Sequence, residues 1–126
     1  METLRRNSKK RSAILECIQS TTCHPTAEWI FQQLKPTIPD LSLGTVYRNL
    51  NVLRQQGDII SVGVNGGMEH FDGDLHPHAH FFCKMCGKVI DVMDAPLPKP
   101  VELEGTVDGV ALTYHGVCRP CLEQEN

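Results

Sequence analysis

The 126-residue sequence predicts an α+β protein built from two parts. Three helix-period apolar stretches and a hairpin pattern occupy residues 1–72, whereas short strand-like segments and two Cys-x-x-Cys pairs occupy residues 73–126. The net charge of −3 hides a basic front part: residues 1–70 hold eight Lys and Arg against six Asp and Glu. Residues 71–126 hold four Lys and Arg against nine Asp and Glu. With 40% apolar and 21% charged residues, the composition is that of a globular protein rather than a disordered one.

The first two helices are predicted from apolar spacing and from capping residues. A helix-period apolar face over Arg11–Ser20 predicts the first helix, with Ser8 as its cap. Thr26 is predicted to cap the second helix. That helix carries its apolar side on Ala27, Ile30, Phe31 and Leu34.

A third helix and a hairpin complete the first part. Ser42 is predicted to cap the helix and Gly57 to end it. Its apolar residues are Leu43, Val46, Tyr47, Leu50 and Leu53. The hairpin is predicted from two strand-like runs, Ile59–Val64 and Met68–Phe71, joined by the turn signal Asn65-Gly66-Gly67. Three helices followed by a hairpin is the order of a winged helix-turn-helix.

The third helix is then the recognition helix. Its predicted exposed face is Thr45, Arg48, Asn49, Asn51 and Arg54. Arg and Asn suit guanine and adenine edges, and Ser42 and Thr45 suit phosphate contact. The basic cluster Arg5–Arg11 is a further candidate for phosphate contact. A solvated helix start and a plain three-helix packing module are the open alternatives.

Short strands dominate the second part. His78–Cys83 and Val89–Met93 are predicted to pair around a turn, and Val107–Val117 is predicted to be another strand with a turn at Asp108-Gly109. Three prolines exclude a regular helix from Asp94–Pro100.

Two Cys-x-x-Cys pairs carry the strongest chemical signal. They are Cys83-x-x-Cys86 and Cys118-x-x-Cys121. Two residues between thiolates let both sulfurs reach one ion from a tight turn, and two such turns make a closed tetrahedral zinc site. A redox dithiol is the alternative for either pair alone. Two pairs favour structural Zn²⁺, which contributes its binding free energy to folding.

A cluster of histidines and aspartates precedes the first pair. Its members are Asp72, Asp74, His76, His78 and His80. Asp72 and Asp91 can add oxygen ligands, and His24 can add a nitrogen if the two parts fold together. The three histidines alternate, so on one strand they share a face. A mixed nitrogen and oxygen set suits Fe(II), Mn(II), Ni(II) or Zn(II). A loop of solvated histidines is the alternative, and it is preferred for His76 and His70.

Four motifs together resemble the ferric uptake regulator family. They are His24-Pro25-Thr26-Ala27, Thr45-Val46-Tyr47-Arg48-Asn49-Leu50, His78-x-His80-x-x-Cys83-x-x-Cys86-Gly87-Lys88 and Gly116-Val117-Cys118-x-x-Cys121. They follow that family's order and spacing. The resemblance implies a homodimeric bacterial repressor with a DNA-binding winged helix in residues 1–72 and a zinc-containing dimerisation domain in residues 73–126. A regulatory Fe²⁺ or Mn²⁺ between the domains closes the dimer into its DNA-binding shape.

By position, the resemblance implies a regulatory site. Its ligands are His24, Asp72, His78, His80 and Asp91. Two aspartates there resemble the peroxide-responsive branch more than the iron-uptake branch. In that branch peroxide reacts at bound Fe(II) and a ligand histidine is oxidised, so His24 and His78 are the expected targets. Loss of a ligand then opens the dimer and releases DNA. A repressor that senses Fe(II) or another divalent metal directly is the close alternative.

The DNA-binding set combines the helix face with the resemblance. It is Ser42, Thr45, Tyr47, Arg48, Asn49 and Arg11. The expected partner is a palindromic double-stranded operator bound by the homodimer. Two departures from the family pattern carry expectations of their own. The short segment before Arg11 predicts a missing or reduced N-terminal helix, and the Pro-rich Asp94–Gly109 predicts a shortened helical part in the dimerisation domain.

Membrane and enzyme functions are not expected. No stretch approaches the ~20 apolar residues of a membrane span. The start Met-Glu-Thr-Leu-Arg-Arg has no apolar core behind it, so we expect a cytoplasmic protein. No nucleophile–base pair stands out, and a Cys₄ zinc site has no open position for a substrate. A zinc-stapled protein-interaction module is the remote alternative.

Overall fold

The computed structural model describes residues 2–99, 101 and 103–124, with side chains from residue 8 onward. This part of the chain contains four helices and five strands. The chain divides into two units, Met1–Leu75 and His76–Asn126, called here the N-terminal and C-terminal units. Helices dominate the first and a small sheet the second, so the α+β fold class is confirmed. None of the described helices is long and apolar enough to cross a membrane.

The N-terminal unit has three helices followed by an antiparallel hairpin. They are α1 (Glu2–Gln19), α2 (Ala27–Leu34), α3 (Leu43–Gln55), β1 (Ile60–Asn65) and β2 (Met68–Asp72). Both predicted N-caps are confirmed, because the amide of Trp29 donates to Thr26 Oγ1 at 3.2 Å and the amide of Thr45 donates to Ser42 Oγ at 3.1 Å. The hairpin turn lies at Gly66 and Gly67, whose positive φ angles of 65° and 79° explain the two glycines.

The start of the first helix was predicted wrongly. α1 begins at Glu2, so Ser8 lies inside the helix rather than at its cap, and the segment before Arg11 is helical from Glu2 onward. Residues 2–10 contain no Gly or Pro, and they are polar enough to hide any apolar period. The side chains of Arg5 and Arg6 lie outside the described residues.

Helix faces and the hairpin enclose one apolar core in this unit. The core residues are Ile14, Ile18, Ala27, Ile30, Leu41, Val46, Leu50, Leu53, Ile59 and Phe71. The helical members are those that the helix period placed on apolar sides. This core holds α3 with its opposite face outward, where a recognition helix must present it.

A three-stranded sheet forms the C-terminal unit, in the order β4-β3-β5. The strands are β3 (Ala79–Cys83), β4 (Val89–Val92) and β5 (Thr113–Gly116), and helix α4 (Arg119–Gln124) follows. β3 pairs antiparallel with β4 and parallel with β5. Residues 93–112 connect β4 to β5, which lie on the two edges of the sheet with β3 between them. The described part of that connection contains no helix or strand.

Two sequence predictions for this unit need correction. Only Thr113–Gly116 of the predicted strand Val107–Val117 is a strand, because β5 pairs with His80–Cys83 and extends no further than that partner; no turn forms at Asp108-Gly109. Helix α4 was not predicted, since its six residues are too few for a helical period.

The C-terminal unit has little apolar core of its own. Among its described residues the buried apolar set is Ala79, Phe82, Cys83, Val89 and Cys118. Two of these five are cysteines of the predicted zinc site. Small units with so few buried side chains usually depend on a metal or disulfides for their stability.

Candidate metal centres and DNA-facing surface

The four paired cysteines converge at one end of the C-terminal sheet. Cys83 ends β3, Cys86 lies in the turn to β4, and Cys118 and Cys121 lie at the start of α4. The Sγ atoms of Cys83 and Cys121 are 3.9 Å apart, and those of Cys86 and Cys118 are 3.8 Å apart. A tetrahedron with Zn–S bonds of ~2.3 Å has edges of about 3.8 Å. The four sulfurs therefore have the spacing that one zinc ion requires.

The thiols of this cluster differ in pKa, and therefore in how readily they become the thiolates that bind a metal. Backbone N–H groups of Cys118 and Cys86 point at Cys83 Sγ, at 3.3 and 3.5 Å, and lower the pKa of Cys83 to about 6. Hydrogen bonding with Cys118 and burial raise the pKa of Cys121 to about 12. Because zinc binds thiolates, Cys83 is ready at neutral pH, whereas Cys121 must lose a proton as the metal enters.

A second donor set in the C-terminal unit joins two histidines to one aspartate. Asp91 lies directly opposite His80 in the β3–β4 register. Asp91 Oδ1 is 2.6 Å from His78 Nε2 and 3.4 Å from His80 Nε2. The Nδ1 of His78 donates to the carbonyl of His76 at 2.6 Å. Since that contact fixes the tautomer, Nε2 of His78 is left as the nitrogen for a metal.

The histidine cluster differs in one respect from its prediction. β3 begins at Ala79, so His76 and His78 precede the strand and do not share a strand face with His80. His78 reaches Asp91 from the loop instead. His76 is exposed and contributes its backbone carbonyl rather than its ring to this set.

His24 and Asp72 form a pair within the N-terminal unit. His24 Nε2 is 3.2 Å from Asp72 Oδ2, and both side chains are buried. His24 has a φ of +54°, a left-handed conformation that costs a non-glycine residue about 1–3 kcal/mol. The β2 strand holds it there: the amide of Phe71 donates to the carbonyl of Pro25 at 3.0 Å. Such strain is typical of a residue held for function.

His70 is a supporting residue in strand β2, and its interpretation as a solvated loop histidine is wrong. Its ring is buried, with Nδ1 2.8 Å from the carbonyl oxygen of His24 and Nε2 3.1 Å from that of Asn65. His70 therefore links the hairpin turn to the backbone of His24. No local pattern could have indicated this, because the first contact joins residues 46 positions apart.

The exposed face of α3 is largely as predicted. Arg48 is exposed, and its Nη2 donates to Thr45 Oγ1 at 3.0 Å. Ser42 Oγ lies 2.8 Å from the same hydroxyl. Tyr47 is also exposed and donates to Glu28 Oε1 at 2.6 Å, a hydrogen bond that raises the pKa of Tyr47. The phenol therefore stays neutral at physiological pH.

Asn49 is the exception, since its prediction as an exposed residue is wrong. Asn49 is 4% exposed, and its Nδ2 donates to the carbonyl of Thr45 at 3.0 Å. The helical period alone indicates this position, because residues 46, 49, 50 and 53 share one face. Arg11 Nε donates to Asn49 Oδ1 at 3.0 Å, so the buried amide contacts a residue of α1.

Residues 2–118 match the sequence model described as the ferric uptake regulator family. The chain belongs to this family. Proteins of the family are metal-dependent transcription regulators that bind DNA as dimers, and they are not enzymes. The resemblance inferred from the four motifs is thereby confirmed.

Several relatives within the ferric uptake regulator family are named for peroxide. The chain is 33% identical to the peroxide-responsive repressor PerR of Staphylococcus epidermidis, over 96% of this chain and 84% of the relative. It is also 33% identical to the peroxide operon regulator of Bacillus subtilis, over 100% of this chain and 93% of that relative. The crystal structure of the Campylobacter jejuni peroxide stress regulator has the same fold, with a TM-score of 0.77 and 24% identity. The match covers 95% of this chain and 94% of that chain.

Proposed function

We propose that this member of the ferric uptake regulator family is a repressor that senses peroxide through oxidation of an iron-ligating histidine. The observation that carries the proposal is the donor set of His78, His80 and Asp91, whose ligand atoms lie within 4.8 Å of one another. Two imidazoles and one carboxylate are a nitrogen and oxygen set suited to Fe²⁺ or Mn²⁺ rather than to a closed thiolate site. The peroxide-responsive names of the relatives support the same function.

We assign His24 and Asp72 to the same ion. The C-terminal unit offers three ligands, which leaves an ion of five or six coordination incomplete. The His24–Asp72 pair offers one more nitrogen and one more oxygen. An ion held by all five residues ties the winged helix to the zinc-containing dimerisation domain, so metal loading sets the spacing of the two α3 helices in a homodimer. The Cys₄ cluster holds structural Zn²⁺.

Histidine oxidation accounts for the switch. Fe²⁺ held by this set would supply one-electron reduction of peroxide, and in the net change one peroxide would add one oxygen atom to an imidazole ring and leave as water, so the two electrons that peroxide accepts come overall from the ring. His24 and His78 are both buried, so an oxidant produced beside their rings meets an imidazole before it meets solvent. Addition of oxygen to the ring removes a good nitrogen donor, and the ligand set then loses a member. The repressor would act in the cytoplasm, where its operator lies.

Iron-loaded protein treated with peroxide tests this function. Protein purified without oxygen and loaded with Fe²⁺ is expected to gain one oxygen atom, located on His24 or His78 by peptide mass spectrometry. Protein that carries only zinc is the control, because zinc has no redox chemistry. His76 is an internal control in the same digest. Release of DNA without any gain of oxygen on these ligands would instead support direct sensing of the metal.

Arg48 is expected to read a base of a palindromic operator. Arg48→Ala should weaken binding to the preferred duplex by about 1–3 kcal/mol per half-site and relax the sequence preference at one position of each half-site. Fluorescence anisotropy with the preferred duplex and with single-base variants measures both effects. Equal affinity of wild type and variant for the preferred duplex would remove Arg48 from the readout.

Salt dependence separates this function from a zinc-stapled protein-interaction module. Binding to DNA releases counterions from phosphates, so the affinity should fall steeply as salt rises. A protein-interaction module has no such general dependence. An affinity that is unchanged between low and physiological salt would argue against the repressor.

A further inference from the structure

A cavity in the N-terminal unit is lined by positive charge and lies beside the recognition helix. Its volume is about 280 Å³, and its lining residues are Arg11, Thr45, Arg48, Asn49 and Val52. Two of the five carry guanidinium groups. No carboxylate of a described residue lies within 4.0 Å of either guanidinium. The positive charge of this cavity is therefore available to an anion.

The Arg11 side chain is held in this cavity by a buried amide. Asn49 is 4% exposed, and both ends of its amide are used: Nδ2 donates to the carbonyl of Thr45, and Oδ1 accepts from Arg11 Nε, each at 3.0 Å. A buried side chain that is hydrogen-bonded at both ends of its amide fixes its partner better than a surface contact does. Because Nε is engaged, the four N–H groups of the two Nη atoms remain for a ligand.

Hydroxyl groups hold the second guanidinium that lines the cavity, that of Arg48. Arg48 Nη2 donates to Thr45 Oγ1 at 3.0 Å, and that oxygen is 2.8 Å from Ser42 Oγ. Gly44 leaves room for this arrangement, since a Cβ at that position would come within 3.3 Å of Arg48 Nη1. The guanidinium of Arg11 and the hydroxyl of Thr45 thus line one space, a combination that matches the oxygens of a phosphate, and the same hydroxyl holds Arg48 beside it.

We propose that this cavity binds one backbone phosphate of DNA, with Arg11 as its cation and Asn49 as the positioning residue. The inference rests on the proposed DNA-binding function and deepens it, because it gives α1 a fixed part in DNA contact. The cavity is several times larger than the ~30 Å³ of one water molecule, so it admits a phosphodiester group. The role of Arg11 is independent of sequence, whereas that of Arg48 is sequence-dependent.

Removal of the Arg11 charge is the first test. The probes are a duplex selected from a random library by the manganese-loaded protein and a scrambled duplex of the same length. Because a homodimer carries two Arg11 side chains, Arg11→Met is expected to weaken both by the same factor, about tenfold per half-site and so about 100-fold per dimer, and to reduce the salt slope of log K by about 1.8. Lys84→Met, which removes an exposed charge from the C-terminal unit, is the control with unchanged affinity.

A single neutral phosphate identifies the contact. Methylphosphonate is placed at each backbone position of one half-site in turn. At one position, the methylphosphonate should weaken binding of the wild-type protein. Binding of Arg11→Met should not weaken further at that position, since the substitution and the neutral phosphate remove the same interaction. Asn49→Leu should reproduce the loss although Asn49 does not touch DNA, and the double variant should be no weaker than either single one. Leucine replaces the amide with an apolar group of similar size, so the unit should fold.

Several results would overturn the proposal. Loss of affinity for the selected duplex alone would make Arg11 a base-reading residue, and equal salt slopes would remove it from phosphate contact. If Asn49→Leu lowers the melting temperature sharply, the methylphosphonate comparison with Arg11→Met still decides the site. Wild-type protein that binds neither duplex would overturn the DNA-binding function as well, whereas binding that is unaffected by Arg11→Met overturns the phosphate site alone.

Discussion

Cys83→Ser is expected to unfold the C-terminal unit while the N-terminal unit stays folded. Cys83 is buried at the end of β3, and it accepts two backbone N–H groups that lower its pKa to about 6. A serine hydroxyl does not ionise at neutral pH, so the site loses the thiolate best prepared for zinc. Structural zinc sites contribute about 10–16 kcal/mol to folding, as much as the whole stability of many domains.

The zinc content and the amide NMR spectrum measure this outcome together. Zinc should fall from one per chain to none, and the dispersed amide signals of residues 76–124 should collapse while those of the N-terminal unit persist. Cys23→Ser is the matched control, because Cys23 is exposed and lies outside the four-sulfur cluster. A folded C-terminal unit without zinc would show that the sheet is stable by itself and that the cluster has another role.

His78→Ala is expected to leave a folded, zinc-containing protein that no longer responds to Mn²⁺ or Fe²⁺. The substitution removes one nitrogen from the proposed regulatory set, the one that lies 2.6 Å from Asp91 Oδ1. Loss of a hydrogen bond that supports a metal ligand costs 10- to 100-fold in affinity, so loss of the ligand itself should cost at least about 100-fold. Metal-dependent binding to the operator duplex should disappear at micromolar metal.

His76→Ala is the control for this second experiment. His76 is close in sequence and exposed, and its backbone carbonyl accepts a hydrogen bond from His78 Nδ1. The variant therefore keeps that contact and should bind metal and DNA like wild type. Metal titration followed by DNA anisotropy compares the three proteins. If His78→Ala loses zinc or unfolds, the division into a structural and a regulatory site is incorrect.

The sequence was most informative where a local rule applies. The caps at Thr26 and Ser42, the glycine turn at residues 66–67 and the β3–β4 hairpin around the first cysteine pair depend on neighbours a few residues apart. It was least informative in stretches without an apolar period, as at the start of α1 and in α4. The extent of β5 also escaped prediction, because a strand is only as long as its partner allows.

The sequence by itself determined the chemistry of this protein: four cysteines spaced for zinc, a histidine and aspartate set for a harder metal, and a helix bearing Arg48. Metal preference and base recognition depend on residue type, which spacing arranges locally. Only the tertiary structure decided which polar side chains position or support other functional residues. Asn49 is buried and fixes Arg11, and His70 is buried and supports His24. The physical reason is that burial and long-range hydrogen bonds depend on packing between elements, which no single stretch of sequence contains.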